Sequence, residues 1–145
     1  MAGEADLLSA YLPIDRARSL ARGAELPSHA QGALLFADVS GFTPLTEALS
    51  RQFGARRGAE ELTRHLNRVC DALISEVHRQ GGSVIGFPGD AMTCWFAEES
   101  SSWRATLCAL AMQKAMQTFA QVPLLSGNPI RLSMKVVVAS GPARR

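Results

Sequence analysis

The sequence predicts an α+β domain in which helices cover one face of a single sheet, and three observations predict it. Short apolar runs at residues 33–37, 83–87, 91–97 and 130–140 are bounded by glycine or proline, as strands are. A long stretch with apolar residues on a helical period separates the first run from the second, and another separates the third from the fourth. The order strand, helices, hairpin, helix, strand packs most economically as one sheet with its crossovers on the same side.

Composition narrows the class further. The 145 residues make about one domain of the usual size, roughly 100–200 residues, and leave no room for a second large one. With 47% hydrophobic and 19% charged residues the chain has the material for a packed core. Fifteen basic residues against thirteen acidic ones give a formal charge of +2, and they are scattered. That pattern points to neither nucleic acid nor a membrane surface as a partner. Cys70, Cys94 and Cys108 are odd in number and far apart, without CxxC spacing, so they are expected to be reduced core thiols. Glu4 and Asp6 stand where a signal peptide carries basic residues, and no apolar run reaches the ~18 residues of a membrane span. A soluble, cytoplasmic chain is expected.

Taken in order, residues 1–31 form a helical lead-in punctuated by Pro13 and Pro27, without evident chemistry. Residues 33–37 read as a strand buried on both faces and closed by Asp38. Thr43 followed by Pro44 reads as an N-cap with proline at the first helical position, opening a helix to about Phe53. Beyond Gly54, the apolar residues Leu62, Leu66, Val69, Cys70, Leu73, Ile74 and Val77 trace one helical face, which Gly81 and Gly82 terminate. Residues 83–87 and 91–97 are joined by the Pro88-Gly89 turn as a β-hairpin with Asp90 at its tip. A third helix runs from Ser101 to about Phe119, and residues 130–140 form the last strand. Residues 32–141 therefore make the main body and 142–145 a tail.

Two carboxylates stand out. Asp38 ends an apolar run and Asp90 begins one, each close to glycine. A carboxylate at the edge of a core is costly unless paired or bound to a cation. If the two strands are neighbours, the acids meet at one end of the sheet and offer hard oxygen ligands suited to Mg²⁺. Taken singly, each also has a structural reading, Asp38 as a turn-forming residue and Asp90 as a hairpin cap. The Ser40-Gly41-Phe42-Thr43 turn adds backbone amides at a helix start, which can cradle phosphate oxygens.

The segments DVSGFTPLTEAL (38–49), RGAEELTRHLN (57–67), GGSVIGFPGDAMTCWF (81–96) and MKVVVASG (134–141) together resemble a class III nucleotidyl cyclase catalytic domain. The likeness is to the first cyclase half of soluble adenylyl cyclases and their bacterial relatives, over about residues 29–141. It implies a ferredoxin-like cyclase fold that lacks its C-terminal strands. It implies Asp38, Val39 (through its carbonyl) and Asp90 as ligands of two Mg²⁺ ions, for which Mn²⁺ can substitute. Gly41, Phe42 and Thr43 would hold the triphosphate of ATP or GTP. The implied reaction yields a 3′,5′-cyclic nucleotide and pyrophosphate, and needs a second cyclase domain in cis or in trans.

Departures from that pattern qualify the expectation. A lysine that relatives carry four residues before the hairpin aspartate is Gly86 here, and Val137 replaces a common glycine. The transition-state asparagine and arginine expected beyond Gly141 are absent from these residues. The reading is therefore the metal-binding half of an adenylate cyclase, inactive without a complementary domain. The alternative is a noncatalytic cyclase-like module that binds nucleotide or a regulatory partner. A diguanylate cyclase is disfavoured, because PGDAM replaces its GG[DE]EF hairpin. His29, His65 and His78 read as surface histidines, Arg56, Arg57 and Arg64 as a solvated helix face, and Trp95 and Trp103 as core or interface anchors. Ser140-Gly141 has no histidine and acid arranged around it as a nucleophile would need.

Overall fold

The computed structural model describes residues 12–144. A short helix α1 (Ile14–Ala21) leads into strand β1 (His29–Ser40), which is followed by α2 (Phe42–Phe53), α3 (Ala55–Arg79), β2 (Ser83–Gly86), β3 (Ala91–Ala97) and α4 (Ser101–Met116). A 3₁₀ turn (Gln117–Phe119), a two-stranded ribbon of β4 (Gln121–Val122) and β5 (Ile130–Arg131), and strand β6 (Ser133–Arg144) follow. The rest of the lead-in, residues 1–11, lies outside the described part.

The sheet has the order β2-β3-β1-β6, with each of its three strand pairs antiparallel. It consists of two interleaved β-α-β units: β3 slots between β1 and β2, and β1 slots between β3 and β6. This is the ferredoxin-like arrangement. Helices α3 and α4 pack together, and α4 lies against β1, β3 and β6.

Alternation along β1 sets the two faces. Ala33, Leu35, Ala37 and Val39 are buried with Met92, Cys94 and Phe96 of β3 beneath the helices. Leu34, Phe36 and Asp38 face the other way, and Phe36 and its partner Val137 on β6 are 39% and 62% exposed. Residues 33–37 are thus not buried on both faces, as the unbroken apolar run suggested. An antiparallel sheet with its crossover helices on one side buries that side fully, while on the other Leu34 is half-buried beside its buried partner Trp95 and the face opens at Phe36 and Val137. The apolar residues on the other side belong to a sheet face left open near Asp38.

Several boundaries differ from the sequence reading. Helix α2 starts at Phe42 with Gly41 as its N-cap, so Thr43 and Pro44 lie inside the first turn and Thr43 caps nothing. Proline is tolerated there because a first-turn N–H has no helical acceptor. Helix α3 begins at Ala55, where Gly54 separates it from α2. The two helices cross closely at Gly58, since a Cβ there would come within 2.9 Å of the Leu49 and Ser50 backbone. Along α3, Val69, Leu73 and Val77 are buried, whereas Leu62 and Leu66 are half-buried at the rim of the core. Strand β1 starts at His29, inside the stretch read as lead-in, and pairs with β6 out to Arg144, inside the stretch read as tail. Arg104 ties the helix layer to the sheet. Its guanidinium donates to the carbonyls of Gln80 and Gly81, at 3.1 Å each, and to that of Ala97.

Candidate metal and nucleotide site

The two acids singled out in the sequence come to the same end of neighbouring strands. Asp38 on β1 is the register partner of Ala91 on β3, the residue immediately after Asp90. Asp38 is half-buried on the open face, and Asp90 sits in the exposed β2–β3 turn, which is closed by the Ala91 N–H donating to the Pro88 carbonyl at 3.2 Å. Among the described residues neither acid has an ion-pair partner within 4 Å, since the salt bridges are confined to α3.

The β1–β3 ladder ends at Asp38, whereas the β1–β6 ladder continues through Val39 to Ser40. Val39 therefore has its side chain in the core and no β3 partner alongside its backbone. Among the described residues no cluster of three or more His, Cys, Asp and Glu side chains could hold a metal. Two carboxylates and a carbonyl nevertheless suit Mg²⁺, which commonly takes one or two protein carboxylates and completes its shell with phosphate oxygens and water.

The turn after β1 is shaped by glycine. Gly41 has φ 110°, a conformation that costs other residues strain, and a Cβ there would run into the Arg131 carbonyl oxygen. The kink turns the chain at once into α2, with the buried Phe42 ring anchoring the first turn. The first-turn amides of Phe42 and Thr43 have no helical acceptor, and the first turn carries no acidic side chain. That is the electropositive helix start an anion prefers.

One residue escaped the sequence reading. Lys135 on β6 is the register partner of Asp38 and is exposed on the same open face. It was invisible because strand pairing, not spacing, brings it there; its place inside the family-like segment MKVVVASG was the one available signal. Gly86, where relatives carry lysine, has open space where a side chain would stand.

The remaining candidates are placed away from this end. His65 lies on α3, with its pKa lowered by partial burial and then by Arg68, against a raising effect of Glu61. Cys94 and Cys108 are buried free thiols pushed up to about 12, mainly by desolvation. Trp95 is buried and Trp103 exposed.

Comparison with known proteins agrees with this architecture. Over 61 residues, 42% of its length, the chain is 43% identical to adenylate cyclase type 10 of Rattus norvegicus. It spans only 4% of that protein. A bacterial light-regulated adenylyl cyclase superposes on 93% of the chain with a TM-score of 0.69 at 19% identity, the chain spanning 39% of it. The dimeric guanylyl cyclase domain of the RhoGC fusion protein from Blastocladiella emersonii superposes on 79% of the chain with a TM-score of 0.60 at 16% identity, the chain spanning 58% of it. No family model matches the chain. The chain has the fold of class III adenylyl and guanylyl cyclase catalytic domains, of which it spans a part. The local sequence likeness to an adenylate cyclase supports the same family resemblance.

Proposed function

We propose that this chain is the metal-binding half of an adenylate cyclase, forming 3′,5′-cyclic AMP and pyrophosphate from ATP once a second cyclase domain completes the site. The observation that supports the reading is the placement of Asp38 and Asp90 at the same end of neighbouring strands, where the Gly41 turn opens α2. The carboxylates of Asp38 and Asp90 and the Val39 carbonyl would hold Mg²⁺, or Mn²⁺ in its place. The bound metal supplies activation of the ribose 3′-hydroxyl and neutralisation of the phosphates.

The chain's own groups then orient the nucleotide. The amides of Phe42 and Thr43 receive phosphate oxygens, and Gly41 keeps the turn free of a side chain that would block them. Lys135 offsets negative charge beside Asp38. Purine selection and the stabilisation of charge on the transferred phosphoryl group fall to the second domain, so the chain alone is inactive. Adenine is favoured over guanine by the likeness to adenylate cyclase type 10.

The reading is tested by titrating a fluorescent ATP analogue into the protein with and without Mn²⁺. Metal-dependent binding that Asp38→Asn weakens at least tenfold is expected. Equal affinity in the variant, or binding indifferent to metal, would refute the site. Metal-dependent binding without turnover in any domain pairing would favour the noncatalytic module.

A further inference from the structure

Strand β6 is one edge of the sheet, paired with β1 along its whole length and with no strand beyond it. In an antiparallel ladder the backbone groups of alternate residues turn to opposite sides of the strand. Two residues show which members of β6 turn outward. The Met134 carbonyl accepts a hydrogen bond at 3.1 Å from the Gln113 side-chain amide of α4. Pro142, of the same parity, has no N–H to give, and proline in a sheet sits where its nitrogen faces away from the ladder. Met134, Val136, Val138, Ser140 and Pro142 therefore direct their backbone groups to the free edge.

Among the described residues, no second strand, turn or side chain bonds to Val136, Val138 or Ser140 on that side. Unpaired N–H and C=O groups in a row are a template for a further strand. Lys135 and Pro142, residue types that guard sheet edges, bracket the open stretch.

The stretch ends in a defect on either side, and the defects say which strand fits. A strand laid along it receives no N–H from Pro142, and at Met134 it meets a carbonyl that Gln113 already occupies. Strand β6 of a second copy, antiparallel about a two-fold axis at Val138, sets Pro142 of the partner subunit opposite Met134. The missing donor then falls on the acceptor that needs none. We infer that β6 pairs edge to edge with β6 of a second copy of this chain, making one continuous sheet across the dimer. Val138 exchanges both backbone hydrogen bonds with Val138 of the partner subunit, and Val136 exchanges both with Ser140 of the partner subunit, twice over by symmetry. On the open face Lys135 comes opposite Gly141 of the partner subunit, and exposed Val137 opposite Ala139 of the partner subunit, so no like charges are opposed. The edge lies on the far side of β6 from β1 and Asp38, and the pairing does not depend on the reading of the nucleotide site.

Sedimentation velocity on the full chain over a concentration series, with amide hydrogen exchange followed by NMR at the same concentrations, tests the pairing. Association should slow exchange at Val136, Val138 and Ser140 by about tenfold or more, whereas Lys135, Val137 and Ala139, bonded to β1, should be slow at every concentration. Ser140→Pro removes a donor that β1 does not use, and should weaken association by roughly tenfold or more, since a hydrogen bond is lost in each symmetric contact. Circular dichroism should show its fold unchanged. Trp103→Ser, on the exposed side of α4, should leave association as it was. A chain that stays monomeric throughout, outward amides already slow in the monomer, or a dimer that Trp103→Ser dissociates and Ser140→Pro does not, would overturn the proposal.

Discussion

Asp38 and Lys135 are cross-strand partners on β1 and β6, one acid and one base side by side on the open face next to the Gly41 turn. Directly opposed residues on a sheet face have their Cβ atoms about 4.5–5.5 Å apart, yet no ion pair within 4 Å joins these two. On the proposed reading both groups would be available to a phosphate and its cation. Replacing Lys135 with Ala should weaken binding of a metal–nucleotide complex by roughly tenfold or more, as loss of a hydrogen bond to a charged group does. Because the side chain is exposed, the melting temperature should barely move. An unchanged affinity would remove Lys135 from the site.

Gly41 should resist substitution. Alanine there must adopt φ 110° and displace the Arg131 carbonyl, so the expected loss of stability is about 1–3 kcal/mol or more. Urea denaturation measures it. A neutral change would mean that the turn relaxes easily and is not held by the β5 backbone.

Truncations along α3 should be graded by depth. Leu73→Ala at the buried centre should cost about 2–5 kcal/mol, and Leu66→Ala at the rim distinctly less. Equal losses would contradict the graded burial along the helix.

Thiol chemistry gives an independent check on the core. Cys94 and Cys108 are pushed up to about 12, chiefly by burial, with the neighbouring thiol adding to the effect at Cys94 and Glu76 at Cys108. Half-buried Cys70 is raised by burial and by Asp71. Since the thiolate is the reactive form, native protein at neutral pH should label at Cys70 first, and at the other two only on unfolding. Fast labelling of Cys94 would mean that the β3 layer opens readily.

The sequence carried the order of elements because each has a local signature: the period of Val69, Leu73 and Val77, the break at Gly54 and the turn at Pro88-Gly89 all sit where the structure uses them. It misassigned the second face of β1, since an unbroken apolar run such as residues 33–37 does not say which side is covered. The N-cap was misplaced because the Thr-Pro signal of Thr43 and Pro44 is local, whereas Gly41 acts through a contact with Arg131 far along the chain. Asp38 and Asp90 stood out in the sequence as carboxylates at strand ends, and their placement at one end of the sheet depended on β1 and β3 being neighbours. Lys135 did not, because only the β1–β6 register makes it a neighbour of Asp38.

The central claim is that Asp38 and Asp90 form one functional metal site. The most direct measurement is cyclic AMP production from Mn²⁺-ATP by this chain mixed with a complementary cyclase domain that carries the purine-selecting residues and the transition-state asparagine and arginine. The expected result is turnover by the mixture, none by the chain alone, and a loss of about 100-fold or more for Asp38→Asn or Asp90→Asn, in line with removal of groups that stabilise transition-state charge. Turnover in the mixture that survives both substitutions would contradict the claim.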